Sequence, residues 1–214
     1  MPTYSVKQGD HLLKIAKKHG FADYHNIWDH PQNNELKRRR QNPNILYPGD
    51  RLYIPEKELK EESGATEQRH RFKTRGETLM LRIVLKNIDG QPIANQRCDL
   101  DIEGEVYPLT TDGQGQIEQQ IPKSAEGGTL TLIGTNVPFD VQLPIKIGHL
   151  DPVDTISGQQ ARLNNLGFNA GEVGGTSELQ FRSAVEEFQC DHDLTVDGIC
   201  GQQTQTKLKE VHGC

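Results

Sequence analysis

The 214-residue chain is poor in apolar residues, at 33 % hydrophobic and 6 % aromatic with a single tryptophan. That shortage excludes one extensive interior and favours several small cores, and the length allows one to three compact units. No apolar stretch is long enough to span a bilayer. The opening Met1-Pro2-Thr3 runs straight into a β-prone stretch without the charged and apolar regions of a secretory leader. Excess positive charge is also missing: the net charge of −6 and pI near 5.8 give no overall basic footprint for nucleic acid. The balance is uneven, since residues 1–58 carry ten Lys+Arg against seven Asp+Glu, a net +3 that leaves −9 for the remainder.

Catalytic signatures are absent too. There is no GxSxG, HExxH or P-loop pattern. Glu186 and Glu187 are adjacent carboxylates, but neighbouring helix positions diverge by about 100° and do not converge on one bond. Asp191-His192-Asp193 has no second histidine at ligand spacing, and the cysteines Cys98, Cys190, Cys200 and Cys214 form no CxxC pair. Cys200 lacks the histidine elements that would activate it as a nucleophile. These absences predict no catalytic residues, no metal and no cofactor. Cys190 and Cys200 fall in one short segment, where they could pair as a disulfide in an oxidising compartment or stay as free buried thiols.

What is present falls into three patterns, which predict a multidomain α+β chain divided at 1–57, a linker 58–71, 72–150 and 151–214. In the first, Tyr4 to Lys7 alternate as a strand and Leu12, Leu13, Ile15 and Ala16 follow at helical spacing, with Asp10 as the expected N-cap and Gly20 as the stop. A second helix starts near Asp23, is anchored by Ile27 and Trp28, is disturbed by Pro31 and ends before Asn42-Pro43-Asn44. Tyr47-Pro48-Gly49-Asp50 then turns into the strand Arg51–Ile54. Tyr4-x-Val6-x-x-Gly9-Asp10-x-Leu12, Ile15-Ala16 and Tyr47-Pro48-Gly49-Asp50-x-Leu52-x-Ile54-Pro55 together resemble a LysM domain, a βααβ module. The resemblance departs at His11, where the family has a small hydroxyl residue, and in the length of Asp29–Arg40.

The charged stretch after Glu56 reads as the linker. From Phe72 to about Leu150 the pattern has period two: Leu79 to Leu85, Cys98 to Ile102, Ile117 to Ile121, Leu130 to Leu132 and Val141 to Leu143. Asp89-Gly90 and Asp112-Gly113 are expected to supply positive φ at the turns. A small antiparallel β-sandwich is predicted, resembling the prealbumin-like or carboxypeptidase-regulatory-like spacers. From Asp151 the helical period returns. Gln160-x-x-Leu163-x-x-Leu166-Gly167-Phe168, Ala184-Val185-x-x-Phe188-Gln189, Leu194-x-Val196-Asp197-Gly198 and Gly201-x-x-Thr204-x-x-x-Leu208 resemble the peptidoglycan-binding type 1 family, a three-helix module. Gly174-Gly175-Thr176-Ser177 is an altered form of that family's Asp-Gly-x-x-Gly loop.

The two resemblances imply a non-catalytic protein that attaches bivalently to peptidoglycan, an N-acetyl sugar polymer, with the sandwich as spacer. The LysM resemblance places the sugar against Gly9, Asp10, His11 and Leu12 on one loop and Asn44, Ile45, Leu46, Tyr47 and Pro48 on the other, with His11, Asn44 and Leu46 favoured for contact. Trp28 is assigned to packing, and Lys37-Arg38-Arg39-Arg40 to a solvated face. Without a leader, and unless one has been removed, the chain is expected to be made in the cytoplasm and to reach the cell envelope or periplasm by another route, with no membrane contact. The competing reading is an accessory subunit of a contractile injection (type VI secretion-like) or phage-tail machine that docks a spike, baseplate or effector protein.

Overall fold

A computed structural model describes residues 3–57, 79–87, 89–134 and 140–214; the expected linker 58–71 and the start of the second segment at Phe72 lie outside them. The chain divides into two compact units, Met1–Gly148 and His149–Cys214.

The first unit begins with β1 (Thr3–Ser5), α1 (Leu12–Lys18), α2 (His25–Trp28), a 3-10 turn (Pro31–Asn33), α3 (Asn34–Arg40) and β2 (Arg51–Tyr53). β1 and β2 pair antiparallel with Tyr4 opposite Leu52. Their core gathers Val6, Leu12, Ile15, Ala16, Ile27, Trp28, Leu36, Leu46, Leu52 and Ile54, so Trp28 is packing. Asp10 is not the helix cap. Its Oδ2 accepts from the Tyr4 hydroxyl at 2.7 Å and the Lys7 amide at 2.9 Å, so the carboxylate is committed to the strand side. His11, extended at φ −133, occupies the cap position with no side-chain bond.

Two buried polar side chains hold the rest of this module. Pro31 opens the 3-10 turn, a position that needs no N–H donor, and the turn aims Asn33 at β2. Asn33 donates to the Ile27 and Tyr53 carbonyls at 2.7 and 2.8 Å and accepts from the Tyr53 amide at 2.8 Å. Asp50, with its side chain 4 % exposed, receives Arg40 Nε at 2.7 Å and Arg40 Nη2 at 3.0 Å; Arg39 and the Tyr47 amide also reach it. The basic run is therefore not uniformly solvated: the Arg40 side chain is 7 % exposed. Its bond to Asp50 draws it inward.

The same unit continues with β3 (Leu79–Val84), β4 (Arg97–Ile102), β5 (Glu105–Thr110), β6 (Gln116–Ile121), β7 (Gly127–Leu132) and β8 (Val141–Lys146). β3 pairs with β6, and a four-stranded antiparallel sheet runs β5-β4-β7-β8. Leu85, Leu100, Ile117, Leu130 and Ile147, from both sheets and their flanks, share one core. β5 has no counterpart in the period-two reading because Pro108 interrupts it. A proline cannot donate to a sheet ladder, but both Pro108 and Pro144 sit on the outer strands of the four-stranded sheet, where the missing donor is tolerated. The turn after Thr111 also differs from expectation: Gly115 takes the positive φ of 74°, and Gly113 does not. Asp112 Oδ1 accepts from Gln114 and Gln116 at 2.8 Å each, which shifts the left-handed residue to the end of the turn.

The second unit comprises α4 (Ile156–Asn165), α5 (Glu178–Asp191) and α6 (Gln202–His212) around Leu163, Ala170, Ala184, Val185, Phe188 and Leu208. Thr155 caps α4 by accepting from the Gly158 amide at 3.1 Å. Phe168 meets Phe188 edge-on, with centroids 5.5 Å apart. Buried Arg162 donates to the carbonyls of Asp151, Gly158 and Cys214 at 2.7, 2.8 and 2.9 Å, which ties the first and last turns of the unit together.

Removing the Asp50 carboxylate should take away the paired bonds that draw the Arg40 side chain inward. Asp50→Ala is expected to cost about 3 kcal/mol in denaturant unfolding of the first unit. Burial pushes the Asp50 carboxyl up, but bonds from Arg40 and Tyr47 and the charges of Arg40 and Arg39 outweigh it and hold the group below its ordinary range. Its stabilising contribution is therefore complete above the unfolded value near 4 and is lost as the pH falls below that. An Asp50→Ala chain as stable as the parent at neutral pH would contradict this account.

Candidate functional site

In the first unit, the two loops assigned to sugar lie side by side, joined by the Leu12 amide donating to the Pro43 carbonyl at 3.1 Å. Their side chains divide sharply. Gly9 is buried, Asp10 is half-buried and turned to Tyr4, and His11, Leu12 and Leu46 are all buried, the two leucines within the core. His11 and Leu46, the side chains expected to favour ligand contact, are thus covered in this structure. Leu46 is inaccessible because the small module keeps its apolar groups in the core, and His11 lies beneath Gly148, where a Cβ would stand 3.3 Å from its Cδ2. Asn44 is exposed, Ile45 and Pro48 are half-buried, and Tyr47 is 36 % exposed.

Tyr47 and Pro48 also line a cleft of about 520 Å³ with Gln32, Glu35, Arg39 and Arg40, and none of Gly9–Leu12 reaches it. Arg40 lies over the Tyr47 ring at 5.6 Å. An aromatic face beside guanidinium groups suits the apolar face and the oxygen atoms of a sugar. The accessible part of the predicted site is thus the Asn44–Pro48 side, extended by α3.

In the second unit, three side-chain amides shape the loops between helices. Gln189 is buried on α5 and fully used: its Oε1 accepts from the Asp197 and Gly198 amides at 3.0 Å each. Its Nε2 donates to Asp197 Oδ1, the Ile199 carbonyl and Thr204 Oγ1 at 2.9, 3.1 and 3.0 Å. Asp197 Oδ1 accepts again from the Ile199 amide at 2.8 Å. That hydrogen bond and the one from Gln189 hold the Asp197 carboxyl below its usual range. Across the unit, Gln160 accepts from Gly174 at 2.9 Å, and Asn164 bridges Ala170 and Gly171 at 2.8 and 2.7 Å. Gln160 and Gln189 stood in the sequence motif, but only as pattern. A long polar residue repeated on an apolar helical stripe was the available signal for their bracing role, and Asn164 carried none.

Bracing inward leaves apolar side chains outward on these segments: Leu179 is 85 % exposed and Ile199 66 %, with Val173 and Val196 about half-exposed. A second, shallower depression beside Leu194 is lined by Gln202, Gln203, Thr206, Lys207 and Glu210. Exposed apolar groups among amides and hydroxyls mark this side of the unit as a candidate contact surface.

The possible Cys190–Cys200 bridge is not formed. All four cysteines are free; Cys190 is exposed on α5, while Cys200 packs against the helical core. Burial pushes the Cys200 thiol up to about 11, so it stays protonated at neutral pH. Glu186 is ion-paired with Arg182 at 2.9 Å and His192 packs on the Phe188 ring at 4.4 Å. Among the described residues no group of three or more His, Cys, Asp or Glu is placed to hold a metal ion, and no helix is long and apolar enough to cross a membrane.

Gln189→Ala would leave the Asp197–Gly198 amides and Thr204 without their partner. We expect a loss of about 3 kcal/mol in the second unit, with faster amide hydrogen exchange at 197–199, because each buried donor or acceptor left unmet costs about 1–3 kcal/mol. Unchanged exchange at those amides would show that Gln189 does not brace the loop.

Comparison with known proteins bears on this second unit. Over 55 residues, 26 % of this chain and 14 % of the relative, the sequence is 42 % identical to N-acetylmuramoyl-L-alanine amidase CwlM of Mycobacterium tuberculosis. The chain thus spans a small fraction of that relative's length. No solved structure matches the chain. Residues 154–208, which take in α4, α5, the braced loops and the first part of α6, match the family PG_binding_1, described as "Putative peptidoglycan binding domain".

Proposed function

We propose that the protein is a non-catalytic peptidoglycan anchor that grips cell-wall glycan at two places. The observation that carries this reading is the match of 154–208 to a peptidoglycan-binding family, in a unit whose buried amides hold exposed apolar groups on fixed loops. Ile199 and Val196 on the Gln189-braced loop, with Leu179 at the start of α5, supply the sugar-facing surface. The first unit adds a LysM-like module, in which Tyr47, Asn44 and the cleft along α3 meet the glycan. The sandwich acts as the spacer.

Each surface is shallow, so each binds weakly once association entropy is offset. Two such surfaces on a repeating polymer raise the effective concentration of the second contact and strengthen attachment by roughly 10² to 10⁴. Nothing in this scheme needs a nucleophile. Cys200 is protonated and packed inward, and the carboxylates of Glu186 and Glu187 serve a helix surface.

Co-sedimentation with purified peptidoglycan sacculi tests the proposal. The full chain should pellet, and Tyr47→Ala and Ile199→Asp should each weaken pelleting by about tenfold or more, consistent with loss of one of two linked contacts. Muropeptides should not appear in the supernatant. A chain that never pellets, or whose pelleting ignores both substitutions, would sink the anchor and return attention to docking on a secretion-system or tail protein. Released muropeptides would overturn its non-catalytic character.

A further inference from the structure

His11 is 2 % exposed, and its two ring nitrogens, Nδ1 and Nε2, are the buried side-chain polar atoms without a hydrogen-bond partner among the described residues. An imidazole without a partner in the interior is destabilising, since a buried polar group is normally satisfied. What covers it is the segment that leaves β8. Gly148 comes so close that a Cβ there would stand 2.9 Å from the Gly9 carbonyl oxygen and 3.3 Å from His11 Cδ2, and its φ is +74°. Ile147 is fixed by donating its amide to the Glu126 carbonyl at 3.0 Å. Around this contact, Lys14 pairs with Glu126 at 2.6 Å and donates to the Gly9 carbonyl at 3.3 Å, and Lys17 donates to Ser124 at 3.3 Å. The end of the sandwich therefore rests on the loop that the LysM resemblance assigns to sugar.

We propose that Ile147–Gly148 is a latch over the Gly9–His11 loop, closed while His11 is uncharged and released by acid, which frees that loop for wall glycan. The proposal rests on the reading of the first module as a glycan binder. The charged groups about His11 are Asp10 and Lys14 on its own module and Glu126 on the sandwich, with Lys146 exposed on the strand leading into the latch. Burial and the Lys14 charge drive the imidazole down to about 4, and Asp10 opposes them. A protonated ring would need acceptors for two N–H groups where there are none, next to a lysine already spent on Glu126 and Gly9. The sign follows: closure is complete above the unfolded histidine value near 6.5 and weakens as the pH falls from there towards 4.

The test is amide hydrogen exchange of the full chain, corrected for intrinsic rates, across segments 9–12 and 147–148 between pH 7.5 and 5. Closure linked to His11 predicts a loss of protection on the order of thirty-fold at pH 5. His11→Phe should keep both segments protected across the range, and Gly148→Ala should leave both unprotected at pH 7.5. Flat protection in the parent, or an unchanged pH profile in His11→Phe, would overturn the latch. Sacculi pelleting at the two pH values separates the latch from the reading beneath it. Opening accompanied by stronger pelleting supports both, whereas opening with unaltered pelleting sinks the assignment of wall sugar to this loop and leaves the latch standing.

Discussion

The structure depends on buried polar side chains that satisfy the backbone of loops. With a third of its residues hydrophobic, the chain makes three small cores, and none is large enough to fix its connections by apolar contact alone. Asn33 and Asp50 hold the first module, Gln189 and Arg162 the helical unit, and Gln96 Nε2 joins the Arg97 and Ile133 carbonyls at 2.7 and 2.6 Å in the sandwich. Each of these groups makes two or more hydrogen bonds, so its desolvation is offset, and the bonds tie chain segments to one another where apolar contact is sparse. The exposed apolar residues of the second unit follow from this division of labour. Loops braced from within by amides need not turn their own apolar side chains inward.

Elements with strong periodicity were legible from sequence. The three C-terminal helices, the two strands and first helix of the first module and five of the six sandwich strands follow from spacing of two or 3.6, because burial of one face dominates their energetics, whereas the expected second helix is divided into α2, a 3-10 turn and α3 at Pro31. β5 was not legible, since Pro108 contradicts strand propensity unless the strand is known to lie at an edge, and that is a property of the assembled sheet. The cap assignment failed in the same way. Asp10 has the right chemistry for a helix N-terminus, but Tyr4 and Lys7 compete for its carboxylate, and only the folded turn decides between them.

The placement of the candidate loops was legible, but the facing of their side chains was not. Loop positions could be named from motif, whereas the direction each side chain faces depends on which residues the small core recruits. Leu12 and Leu46 went into the core, His11 went under Gly148, and Asn44 and Tyr47 stayed outward. Cys190 and Cys200 lie ten positions apart, a spacing compatible with a bridge, but one side chain belongs to the solvent face of α5 and the other to the core.

Four free thiols have a consequence for what holds this fold together. No covalent crosslink contributes to either unit, and Cys98 is sealed between strands of the sandwich. The native state therefore draws no stability from a disulfide, while the exposed thiol of Cys190 on α5 stays open to oxidation from solvent.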